Sequence, residues 1–134
     1  MGRYIFVAAI AVVFGCSSSE KIAPVVLPEE GASTDYVDFL PKLRTLAWRA
    51  TEAFYRDRWD ELDDAAQSLE RAVKVLKQSK NVPPRVQGEL ATRCEKLTAE
   101  CGQLREACRT RAVNGASEHL QQIHILIREL RSEN

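Results

Sequence analysis

WDELDDAAQSLERAVKVL, residues 59–76, places Trp59, Leu62, Ala66, Leu69, Val73 and Leu76 at successive spacings of 3, 4, 3, 4 and 3. That alternation follows the 3.6-residue turn of an α-helix and lays all six side chains along one face; a strand would need a period of two. The charges agree with the direction of the chain. Asp60, Glu61, Asp63 and Asp64 crowd the first turns, where the helix dipole is positive, and Lys74, Lys77 and Lys80 gather at the other end. The carboxylates need no metal to account for them, because Asp60–Asp64 lacks the glycine hinge of a calcium loop.

The same period extends in both directions. Upstream, Leu40, Leu43, Ala47, Ala50 and Phe54 form a stripe that Leu46, Trp48 and Tyr55 widen or flank. Asp35 or Asp38 is suited to cap this helix, with Pro41 in its first turn, and the helix is expected to run to about Asp57 before a tight turn at Arg56-Asp57-Arg58. Downstream, Asn81-Val82-Pro83-Pro84 stops the second helix, and Pro84 can open a third. The third seam is Leu90, Cys94, Leu97, Cys101, Leu104 and Cys108. Asn114-Gly115 then suggests a turn, and Ala116, Leu120, Ile123, Ile127 and Leu130 mark a fourth helix. Four amphipathic helices with short connections predict an all-α domain over residues 34–134, an antiparallel up-down-up-down four-helix bundle.

The cysteines of the third seam recur every seven residues. At ~1.5 Å of rise per residue they stand about 10.5 Å apart on one face, too far to pair with each other. They are expected to serve as small core hydrophobes. The alternatives are a disulfide to a facing copy of the chain and a Cu(I)-thiolate site, though no other helix supplies a cysteine and the only methionine is Met1.

The start of the chain has a different character. Arg3 precedes the apolar run Tyr4-Ile5-Phe6-Val7-Ala8-Ala9-Ile10-Ala11-Val12-Val13-Phe14, which ends at Gly15-Cys16. The run has the length of a secretory apolar region and is too short to span a ~30 Å hydrocarbon core. It resembles the signal of bacterial lipoproteins, with Val13-Phe14-Gly15-Cys16 in the place of the lipobox. The resemblance implies cleavage before Cys16, thioether lipidation of Cys16 and a mature chain anchored in the cell envelope; Ser17 rather than Asp after the cysteine implies the periplasmic side of the outer membrane. Residues 1–15 are then a signal peptide. Residues 16–33, the lipidated Cys16 followed by SSSEKIAPVVLPEEGAS, keep no helical or strand period and read as a flexible tether with a reach of roughly 25 Å.

What remains is one domain, nearly neutral. The whole chain has 19 basic and 19 acidic side chains, interspersed, so no nucleic-acid partner is indicated. The first mature residues, Ser17-Ser18-Ser19-Glu20-Lys21, form no basic patch for anionic lipid, which leaves the lipid on Cys16 as the membrane attachment.

His119 and His124 lie five residues apart, roughly 140° around a helix, and are not a chelating pair. Leu120-Gln121-Gln122-Ile123-His124 stands where bundle cytochromes of the c-prime type carry Cys-x-x-Cys-His, with Leu120 and Ile123 replacing both cysteines. That similarity implies, as an alternative function, a bundle that binds haem without thioether links and uses His124 as an axial ligand. The leading expectation is a lipid-anchored interaction or scaffolding module, with a protein partner or a second copy. This module is expected to carry no catalytic, cofactor-binding or metal-binding residues and not to be an enzyme.

Overall fold

The computed structural model describes residues 24–29 and 31–131. Its helices are α1 (Tyr36–Tyr55), α2 (Trp59–Lys77), the single turn α3 (Pro84–Gln87), α4 (Leu90–Thr110) and α5 (Val113–Glu129). The described residues contain no strand, only an isolated bridge between Asp35 and Lys80, and no helix long and apolar enough to cross a membrane. The all-helical class read from the period is therefore observed. Helix α1 packs chiefly against α2 and α5, and α4 packs against the same two, so the four long helices surround one interior.

The helix ends differ in detail from the expected ones. Asp35, not Asp38, caps α1: its Oδ1 accepts from the Val37 amide at 3.1 Å, and its Oδ2 accepts from Asn81 Nδ2 at 2.7 Å. Pro41 consequently falls in the second turn rather than the first, where it offers no N–H to the Val37 carbonyl. Helix α1 stops at Tyr55 because the chain closes a Schellman motif, with the amide of Arg58 on the Ala53 carbonyl at 2.9 Å and Asp57 at φ 56°. The third helix is not continuous from Pro84; it is broken at Gly88-Glu89 into α3 and α4.

The turn expected at Asn114-Gly115 lies earlier. A second Schellman motif closes α4, with Ala112 N–H bonded to the Ala107 carbonyl at 2.9 Å and Arg111 left-handed at φ 51°. Asn114 and Gly115 are inside the first turn of α5.

The interior is apolar throughout. Leu62, Ala66, Leu69, Val73 and Leu76 of α2 are buried, as are Leu90, Leu97 and Leu104 of α4 and Ala116, Leu120, Ile123 and Ile127 of α5, together with Leu130. Helix α1 departs from its expected stripe. It buries Tyr36, Phe39 and Ala53 beside Leu43, Leu46, Ala47 and Ala50, whereas Leu40 and Phe54 are only partly covered. Trp48 and Tyr55 are 63% and 81% exposed. Trp59, expected in the core, is half-buried at the head of α2, where its Nε1 donates to Asp57 Oδ1 at 2.7 Å; the indole needs a partner that the apolar seam cannot supply.

Tyr36 combines burial with a hydrogen bond across the fold. Its hydroxyl donates to the Leu130 carbonyl at 2.6 Å and joins the start of α1 to the end of α5. Between Thr34, Tyr36 and Lys80, two backbone hydrogen bonds of 2.9 Å fix the entry to α1 against the end of α2. Before that entry, Val25 and Leu27 pack on the core, so this part of the expected tether rests on the helices.

Candidate functional site

Three groups of side chains could carry chemistry, and the seam of α4 is the first. The heptad places Cys94, Cys101 and Cys108 toward the interior, and all three are buried with free thiols. Burial disfavours the thiolate and pushes them up from the ordinary cysteine range, Cys94 to about 11, Cys101 to about 12 and Cys108 to about 11. A thiol held protonated at neutral pH is a poor nucleophile and a poor metal ligand. Among the described residues no group of three or more His, Cys, Asp and Glu side chains is placed to hold a metal ion.

The second group is an ionic cluster between α2 and α4. Arg105 meets Asp63 at 3.1 Å and Glu70 at 3.4 Å, at the side of a cavity of about 580 Å³ that Trp59, Asp60, Gly102 and Arg109 also line. The hydrogen bond to Asp63 is the main cause that raises the already high pKa of the guanidinium further. Two of the four carboxylates at the head of α2 are thereby committed, Asp63 to Arg105 and Glu61 to Arg58 at 2.8 Å.

The histidines do not meet. His119 Nδ1 lies 2.7 Å from Glu100 Oε2, bridging α5 to α4. His124 lies on the other side of α5, with Nε2 2.7 Å from Thr51 Oγ1 and its ring 5.4 Å from that of Trp48. Thr51 Oγ1 also lies 3.1 Å from the Ala47 carbonyl, and the tautomer of the neutral His124 ring sets whether that oxygen accepts from Nε2–H or donates to Nε2. Burial lowers the His124 pKa and favours that neutral form.

His124 and Trp48 open onto the third group, a groove of about 270 Å³ between α1 and α5. Arg44, Arg128 and Arg131 line it, and no carboxylate does among the described residues. None of the three arginines forms an ion pair with a described residue, in contrast to Arg56, Arg58, Arg93, Arg105 and Arg109. Sequence reasoning missed this grouping because Arg44 is more than eighty residues from Arg128, and only the packing of α1 on α5 brings them together.

Cys16, the expected lipidation site, and the rest of the signal pattern lie outside the described residues. No family model matches the chain, and comparison with curated proteins and with solved structures finds no match either.

Proposed function

We propose that this chain is a lipid-anchored protein of the bacterial cell envelope, held by thioether-linked lipid on Cys16 to the periplasmic side of the outer membrane. Its helical domain works by contact with a partner rather than by catalysis. The observation that carries this reading is the pattern from Arg3 through the apolar run to Val13-Phe14-Gly15-Cys16. Thiols kept protonated by burial favour a structural role for the α4 seam, and the exposed aromatic rings Trp48 and Tyr55 on α1 are the residue types that protein and membrane interfaces favour.

The domain itself we infer to be an up-down-up-down four-helix bundle. Along α1 and α5, the pairs Tyr36–Leu130 and Thr51–His124 run in opposite senses, and the short α1–α2 and α4–α5 connections suit antiparallel neighbours.

Cell fractionation tests the anchor. The wild-type chain is expected to remain with the outer membrane through a high-salt wash, and Cys16→Ser is expected to lose the processed, membrane-bound form. A processed wild-type chain recovered in the soluble periplasmic fraction contradicts the reading.

A further inference from the structure

The groove between α1 and α5 joins arginines that form no ion pair among the described residues to an exposed indole, and it runs from near the chain-entry end of the domain to past the middle of α1. The Tyr36–Leu130 hydrogen bond puts the start of α1 beside the end of α5. Arg128 and Arg131 flank Leu130, and Arg44 lies eight residues into α1, about 12 Å along its axis. Trp48 follows one turn farther on, 63% exposed against the ring of His124. Chain entry is at the same end, where backbone hydrogen bonds tie Thr34 and Tyr36 to Lys80, and before it Val25 and Leu27 pack on the core. Val25 is nine residues from Cys16, a contour of at most about 30 Å. A lipid on Cys16 therefore keeps the domain within reach of the bilayer, about 30 Å from Val25 at most.

We propose that the α1–α5 groove docks the domain onto an anionic phospholipid surface, with Arg44, Arg128 and Arg131 on headgroup phosphates and Trp48 at the level of the headgroups. The inference rests on the lipid-anchor reading. Guanidinium groups match phosphate oxygens in fork geometry, and an indole with one polar edge suits the boundary between water and hydrocarbon. Charge argues against a second copy as the occupant: a two-fold contact through this face sets the same three arginines against themselves. The chain as a whole is neutral, so the attraction comes from this local excess and fades with salt.

The test uses the lipidated full chain carrying Trp59→Phe, which leaves Trp48 as the sole tryptophan, reconstituted into vesicles of zwitterionic lipid with or without phosphatidylglycerol. Brominated lipids are expected to quench Trp48 in the anionic vesicles only. Arg44→Gln, Arg128→Gln and Arg131→Gln together are expected to bring quenching down to the zwitterionic level, while the corresponding three lysine substitutions retain most of it. Trp48 left unquenched in both vesicle types, with the chain floating alongside them, overturns the docking and spares the anchor. A chain that does not float with vesicles overturns the anchor reading, and the docking with it. An equal Trp48 response to inorganic phosphate alone overturns the lipid surface in favour of a small anion, and a vesicle-free response to protein concentration overturns it in favour of self-association.

Discussion

Cys94, Cys101 and Cys108 link sequence and structure at the scale of single residues. Their seven-residue spacing, alternating with Leu90, Leu97 and Leu104, suffices to place them on the buried side of a helix, and the fold has them there. In the folded domain they should react slowly with a thiol reagent and quickly after denaturation; rapid labelling of all three in the native state contradicts their burial. Linkage gives a second consequence. An unfolded thiol titrates near ~8.5, and the folded ones are pushed to about 11 or 12, so the unfolded chain sheds protons first as pH rises. Stability is expected to be fully present below that lower value and to fall as pH climbs toward 11, with a shallower fall when all three are replaced by alanine. His124 has the opposite sign. Its folded pKa is lowered by burial, so the unfolded chain binds the extra proton and stability is lost as pH falls below about 6.5. His124→Gln is expected to flatten the fall of the denaturation midpoint below a pH of about 6.5; an unchanged slope contradicts that environment.

At the scale of elements, long periodic stretches are legible, and so are the ends marked by a cap or a proline, Asp35 and Pro84, whereas the break at Gly88-Glu89 and the end of α4 are not. The stripes of α2, α4 and α5 reappear in the core because a continuous 3-4 spacing leaves one possible buried face. Helix α1 was harder, since apolar residues lie on more than one side of it, and only packing decides that Phe39 is buried and Trp48 exposed. The turn after α1 lies where it is expected, at Arg56-Asp57-Arg58; the turn after α4 is hidden in the sequence because Arg111 occupies a left-handed position where glycine is the usual signal, and Asn114-Gly115 nearby is the more visible turn pair. The Arg111 conformation makes a prediction: Arg111→Gly should raise stability by about 1 kcal/mol in chemical denaturation, by removing the side-chain cost of that backbone. Gly102→Ala should add roughly 0.5–1 kcal/mol, because the position is inside α4 and a Cβ there meets only Glu70 Oε1, at 4.0 Å. Leu97→Ala, which empties a fully buried site, should lose ~2–5 kcal/mol. No measurable loss in that last variant contradicts the packing of α4 on its neighbours.

The whole molecule divides into what periodicity can reveal and what it cannot. Fold class followed from local spacing, whereas the cationic groove depends on a long-range contact between α1 and α5 that no window of sequence contains. The same limit applies to His124: its place beside Leu120 and Ile123 was readable, but its bond to Thr51 on another helix was not. A visible spectrum of the purified full chain separates the interaction module from the haem-binding alternative, and no Soret band is expected. The anchor is the most consequential part of the account, since the proposed docking rests on it. It is tested most directly by mass spectrometry of the N-terminal peptide from native envelopes. The account predicts a peptide beginning at Cys16 and carrying thioether-linked lipid; a peptide retaining Met1, or Cys16 with a free thiol in cells that process lipoproteins, contradicts it.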